Sequence, residues 1–152
     1  EQEKQKGIIN KKKKISKILD KQISGKNFIK FDDGSGILVK STIKFNGSNS
    51  NLIINAEVER DRSTTIESFK KLFIEDGKYI QISFIDADGF ELISPVILPL
   101  NIVQGQNENI VYRKKSGNTA ENIIAVRMLA RKPLDNILEF SKVKRLQISL
   151  RK

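Results

Sequence analysis

The chain of 152 residues contains no histidine, no cysteine and no tryptophan. Without Cys there are no disulfides, no thiol catalysis and no thiolate metal sites. Without His the usual zinc, haem and copper ligand is missing, together with the commonest general base near neutral pH. Ser-His-Asp and Cys-His arrangements are therefore excluded. Carboxylate pairs, Lys, Tyr and Ser-Lys are the catalytic chemistries that remain. Long apolar runs are missing too. A spanning helix needs ~18 apolar residues, and the longest apolar block, Ile93 to Val103, is broken by Pro95 and Pro99. The chain opens at Glu1 rather than Met, which points to a processed protein, a trimmed chain or an excised domain, with any signal or anchor out of view.

Acidic charge is in short supply: 28 Lys+Arg face 18 Asp+Glu, for a net charge of +10. The excess is uneven along the chain. Residues 1–30 sum to +7, residues 31–140 to −2 and residues 141–152 to +5. A nucleic-acid-binding fold shows a basic stripe on its folded surface, whereas here the basic character reads as a tail plus a last strand. The candidate contacts with an anionic surface are Lys11, Lys12, Lys13, Lys14 and Lys17 at one end, and Lys142, Lys144 and Arg145 at the other. The bland alternative is coding bias. With 23 Ile, 21 Lys and 12 Asn against seven Arg and five Ala, the composition is that of an AT-rich bacterial genome.

Ile15, Ile18, Leu19 and Ile23 recur at helical spacing with lysines opposite, which predicts a basic helix over about 10–23 ending near Gly25. From residue 27 onward the period is two. Ile37, Val39, Ser41, Ile43 and Phe45 form one row, opposed by Lys40, Thr42 and Lys44. Leu52, Ile54, Ala56 and Val58 form a second, and Ile80, Ile82 and Phe84 a third. Ile124, Val126 and Met128 are opposed by Ala125 and Arg127, and Leu146, Ile148 and Leu150 close the series. Each row predicts a strand with one buried and one wet face, and a slip of one residue would turn its apolar row to water. Asp33-Gly34, Asn46-Gly47, Asp76-Gly77 and Asp88-Gly89 supply turns. Pro95 and Pro99 put the intervening strand at a sheet edge, because proline cannot donate to a central ladder. Thr64–Phe73 reads as a short helix or an irregular crossover, Gly105–Ala120 as a long loop around Ile110–Tyr112, and Leu134–Phe140 as a helical turn or loop.

The expected fold is all-β: an immunoglobulin-like two-sheet β-sandwich of about 7–8 strands with an N-terminal basic helix. An open β-barrel is the alternative. The expected division is 1–26 as a basic helical or linker segment and 27–152 as the sandwich. Phe84-Ile85-Asp86-Ala87-Asp88-Gly89-Phe90-Glu91-Leu92 resembles the strand–turn–strand of bacterial immunoglobulin-like accessory domains, a hairpin motif that implies no activity.

No constellation carries a catalytic assignment. Asp86-Ala87-Asp88-Gly89 has part of a calcium loop but lacks the third ligand and the closing Glu. Glu57, Glu59 and Asp61 alternate with Arg60 and Arg62, as a salt-bridged wet face does. Glycosidic acid–base work would need sugar platforms as well, and the chain has two Tyr and no Trp. Neither GxGxxG nor a P-loop occurs. Phe140 beside Lys142–Arg145 has the ingredients of single-strand binding, a basic run with a stacking ring, but the phenylalanines read chiefly as core. No metal, cofactor or catalytic residue is assigned. The leading expectation is a non-catalytic interaction or structural module of a bacterial anchored or exported protein, extracytoplasmic, with a cytoplasmic site as the alternative. Its partner is another protein, met through a sheet face, the 105–120 loop or an edge strand, the edge contact being strand addition at Val96, Ile97, Leu98 and Leu100. The second expectation is a binder of anionic surfaces, lipid headgroups ahead of nucleic acid, through the basic termini. The third is a carboxylate-dependent hydrolase.

Overall fold

In a computed structural model the described residues are 21–46, 50–106, 109–116, 123–134 and 137–151. They form two antiparallel sheets. β1 (Gln22–Lys30), β2 (Gly36–Asn46) and β3 (Asn51–Arg60) make a meander. β7 (Ile123–Pro133) pairs with β3, and β6 (Ile110–Ser116) with β7, giving the order β1-β2-β3-β7-β6. The second sheet has the order β5-β4-β8, built from β4 (Tyr79–Ile85), β5 (Val96–Pro99) and β8 (Arg145–Arg151). The mostly-β sandwich read from the sequence is thus present.

The alternating rows become the core. Ile37, Val39 and Ile43 on β2 are fully buried, as are Leu52, Ile54, Ala56 and Val58 on β3. They face Ile80, Ile82 and Phe84 of β4, Leu98 of β5 and Ile148 of β8. Ser41 sits in the β2 row, 2% exposed, and its hydroxyl has no partner among the described residues.

Each passage between the sheets runs through a short helix: α1 (Ile66–Leu72), α2 (Ile102–Gly105) and α3 (Ile137–Ser141). Thr65 caps α1, its hydroxyl accepting from Ser68 N–H at 3.1 Å. Phe69 of α1 is fully buried and packs edge-on against Phe73, with centroids 5.2 Å apart. Phe140 of α3 is likewise fully buried. Asn101 caps α2 through Oδ1 and donates from Nδ2 to Ile74 O at 2.9 Å.

The open sides of the sandwich are stitched by side chains. On one side Asn27 Nδ2 donates to Ile148 O at 2.7 Å. β1 lies so close to β8 there that a Cβ at Gly25 would come within 3.1 Å of Leu146 Cβ. On the other side the Tyr112 hydroxyl donates to Pro99 O. The Tyr112 ring fills the space a side chain at Gly105 would need.

Several expectations are corrected. The helix expected to end near Gly25 does not reach that far. Gln22–Lys30 is strand β1, and Ile23 is paired with Ile43 in the inner row. The ladder to β2 outweighs a helical spacing that rested on the isoleucines upstream, and the rest of that stretch, residues 1–20, lies outside the described residues. The expected loop around Ile110–Tyr112 is a full strand, β6, because β7 offers it a partner. Phe90 is 69% exposed at the β4–β5 tip and Phe28 is 49% exposed, so neither is core. Phe90–Ile93 returns beside β4 only through an isolated bridge, Ile85 to Glu91, before β5 begins. The ladder register shifts by two residues across Pro95.

Candidate functional site

The positions opposite the core rows build the outer face of the five-stranded sheet. In register, one row crosses all five strands: Lys26, Lys40, Glu57, Arg127 and Arg113. Lys44 and Arg131 lie two rows away on the same face, with Ile53 between them, and Lys30 lies at the end of β1. All seven of these cations are exposed, while Glu57 and Glu59, the two acids on the face, are half-buried. Glu57 accepts from Arg127 at 3.3 Å and Glu59 from Lys40 at 2.8 Å. Hydrogen bonding to Glu59 raises the Lys40 pKa. The other ten of the twelve acidic residues described lie outside the eight strands.

Two pairs of like charges stand directly opposite each other, Lys26 with Lys40 and Arg113 with Arg127. Such pairs oppose sheet formation. Phe31 N–H donates to Ser35 O at 2.7 Å, which sets the hydrogen-bonding phase of the β1–β2 ladder. By that phase Lys26 and Lys40 form a non-hydrogen-bonded pair, the closer kind. One row away Ser24 and Thr42 share a hydrogen bond of 3.2 Å. Between the two rows, over the backbone of Gly25 and Ser41, lies an open depression of about 370 Å³. Its walls are mostly carbon; the Ser24 and Thr42 hydroxyls are bonded to each other, and the Lys40 ammonium is turned to Glu59 in the row on the far side.

The residues singled out in the sequence fall in different places. Lys11, Lys12, Lys13, Lys14 and Lys17 lie outside the described residues. Lys142, Lys144 and Arg145 are exposed where the chain enters β8. The lysine with a defined structural task is Lys21. Its ammonium donates to Phe140 O at 3.1 Å, Ser141 O at 2.9 Å and Val143 O at 2.7 Å, and sits 5.5 Å from the centre of the Phe140 ring. Burial, and then the charge of Lys144, lowers its pKa.

Val96, Leu98 and Leu100 are buried, and Ile97 is 43% exposed. β5 is an edge strand, as its prolines required. Leu100 N–H donates to Lys78 O at 3.0 Å, so by alternation Ile97 and Pro99 direct their backbone groups outward. Proline has no N–H to offer, and Pro99 O is already taken by Tyr112. Within the strand, Ile97 supplies the one outward N–H.

The described carboxylates singled out in the sequence lie apart. Glu57 and Glu59 stand on the five-stranded sheet, while Asp86 and Asp88 follow β4 of the other sheet. Asp86 Oδ1 accepts from Asp88 N–H and Phe90 N–H, both at 2.9 Å. Asp33 and Asp61 are held by Ser35 and Ser63, whose hydrogen bonds lower both pKa values. Among the described residues no three Asp or Glu come together in a metal-binding group. A separate cleft of about 480 Å³ lies between the β1–β2 turn, α1 and the end of β8. Asp33, Glu75, Lys71, Lys78 and Arg151 line it with both signs of charge. No described helix is long and apolar enough to cross a membrane.

The basic face is invisible to charge summed by segment, because such sums mix acids in the turns with cations on the strands. The signal that finds it is the wet half of each alternating row. No family model, no curated protein and no solved structure matches the chain.

Proposed function

We propose that this chain is a non-catalytic binding module that engages polyanionic surfaces through the outer face of its five-stranded sheet. The observation that carries the reading is the row Lys26–Lys40–Glu57–Arg127–Arg113 with its two like-charge pairs. Cations set side by side on a sheet raise its energy, and an anionic ligand relieves that repulsion when it binds. The surface is an area of potential rather than a pocket, which suits steering and recognition of an extended ligand.

The connectivity supports an immunoglobulin-like assignment of the sandwich. The constant-type pattern of sheets A-B-E-D and C-F-G sets B beside E and C beside F. Taking β2-β3-β7-β6 as A-B-E-D and β4-β8 as C-F reproduces this order. β5 then flanks C, β1 is added outside A, and among the described residues no strand stands in the place of G. The AT-rich composition supports a bacterial source, and the Lys-rich leader supports placement close to a surface, as part of an anchored or exported protein.

The test is retention of the full chain on an immobilised sulfated polymer. Retention should fall steeply as salt rises, because binding releases counterions. A variant carrying Lys26→Ala, Lys44→Ala, Arg113→Ala and Arg131→Ala should elute at markedly lower salt with its circular dichroism unchanged. Elution at the same salt as the parent chain would refute the assignment of the face.

A further inference from the structure

The face has two halves, and they differ in chemistry. On β3, β7 and β6 the outward cations with described side chains are Arg113, Arg127 and Arg131, set beside Glu57 and Glu59, and the register adds Lys115 opposite Ala125. On β1 and β2 the outward positions carry Lys26, Lys30, Lys40 and Lys44 and no acid. The β1–β2 half also holds Phe28, 49% exposed, and the depression rimmed by Ser24, Lys26, Lys40 and Thr42. β1 is the strand that continues directly from the Lys-rich residues 1–20.

From this we infer that the β1–β2 half seats on the headgroup plane of an anionic phospholipid bilayer. The inference rests on the polyanion-binding reading above and names its ligand. A sheet twists by roughly 20–25° per strand, so a planar partner meets two adjacent strands well and five poorly. Lysine is a compact charge on a flexible stem, suited to headgroups that lie at no fixed spacing. The four lysines add their attraction on one side of the molecule. The Phe28 ring lies over Gly36 on the same side, half-exposed, and its free face meets the interfacial layer, where apolar side chains of peripheral proteins reside. Headgroup phosphates pair with the lysine ammonium groups of this half.

A single-stranded nucleic acid is the competing polyanion. It is gripped in a basic groove lined by several aromatic platforms. Phe28 is the one aromatic side chain among the described outward positions of this sheet, and the lysines spread over two strands rather than along a groove. The bilayer is therefore the better fit.

The experiment is co-sedimentation of the full chain with vesicles of phosphatidylcholine alone, or containing roughly a third phosphatidylglycerol. A fluorescent single-stranded oligonucleotide serves as the parallel probe. Binding to the anionic vesicles and not to the neutral ones is expected. Each basic residue near such a surface contributes about a fivefold gain in affinity. Lys26→Ala with Lys44→Ala should thus cost about 25-fold, and Lys26→Arg with Lys44→Arg should restore most of it. Phe28→Ser should weaken binding in a way that added salt does not reproduce. Arg113→Ala with Arg131→Ala should cost much less than the lysine pair. Binding to the oligonucleotide but not to vesicles would overturn the bilayer inference and leave the polyanion reading standing. Binding to neither would remove both. Vesicle binding unchanged in the Lys26/Lys44 variant, but lost when Lys11–Lys14 are all changed to Gln, would assign the membrane contact to the leader and overturn the role of the sheet.

Discussion

Replacing Arg113 with glutamate should make the protein more stable while weakening its hold on anions. Arg113 stands directly opposite Arg127, and side chains so placed have Cβ atoms ~4.5–5.5 Å apart. With the two charges ~6 Å apart in a water-like medium, the repulsion is about 0.7 kcal/mol. Reversing one sign turns it into attraction of the same size, a swing of about 1.4 kcal/mol at low ionic strength. At ~0.15 M salt the Debye length is ~8 Å, which reduces the gain to about 0.7 kcal/mol, and at ~1 M little remains. Arg127 keeps its ion pair with Glu57 on the far side, so the new carboxylate adds to that pair rather than replacing it. Urea unfolding of Arg113→Glu and Arg113→Gln at low, intermediate and high salt measures the effect. The expected order of stability at low salt is Glu, then Gln, then the parent Arg, converging as salt rises. A loss of stability at low salt, or a gain that salt does not diminish, would refute the electrostatic description of this face.

Three further outcomes follow from the packing. Ser41→Ala should stabilise the fold, by about 0.5–2 kcal/mol in chemical denaturation, because it removes a buried hydroxyl that no described residue satisfies; destabilisation would show that the hydroxyl is bonded. Gly105→Ala should destabilise by about 1–3 kcal/mol through overlap with the Tyr112 ring, and Tyr112→Ala should suppress most of the additional loss in the double variant. If the two losses simply add, the ring does not occupy that space. The Tyr112 phenol, its pKa pushed up to about 12 by burial, should ionise late in an ultraviolet titration, and that step should vanish in Tyr112→Phe. Since the unfolded phenol loses its proton near pH ~10, the fold keeps its proton where the unfolded chain does not, and stability should decline as pH rises from the unfolded value toward the folded one.

Much of the sandwich can be read from residue spacing. The rows Ile37–Phe45, Leu52–Val58 and Ile80–Phe84 combine a period of two with β-branched residues, so each names its strand and its buried face at once. Pro95 and Pro99 name the edge, because a missing N–H is tolerated only where no neighbour needs it. What spacing cannot supply is pairing. β1 has Ile23 and Ile29 on its inner face with Gly25 and Asn27 between them, a row too weak to stand out from the helical spacing upstream. Gly25 and Asn27 are understood only from β8, which one approaches and the other bonds. β6 is hidden in the same way, since Val111 and Arg113 face water and the strand is defined by β7. The basic face is a property of five strands laid side by side. Lys26 and Lys40 are fourteen positions apart in sequence, and so are Arg113 and Arg127, yet each pair is in direct register. Only the ladder makes them neighbours.

The most direct test of the binding face is an amide chemical-shift titration of the isotopically labelled chain with a short-chain anionic phospholipid below its micelle concentration. Shifts should concentrate at Ser24, Lys26, Phe28, Lys40, Thr42 and Lys44, and saturate together. Shifts gathered instead around Asp33, Lys71 and Glu75 in the mixed-charge cleft, or on the outward positions of β4, β5 and β8, with the β1–β2 amides unmoved, would contradict it.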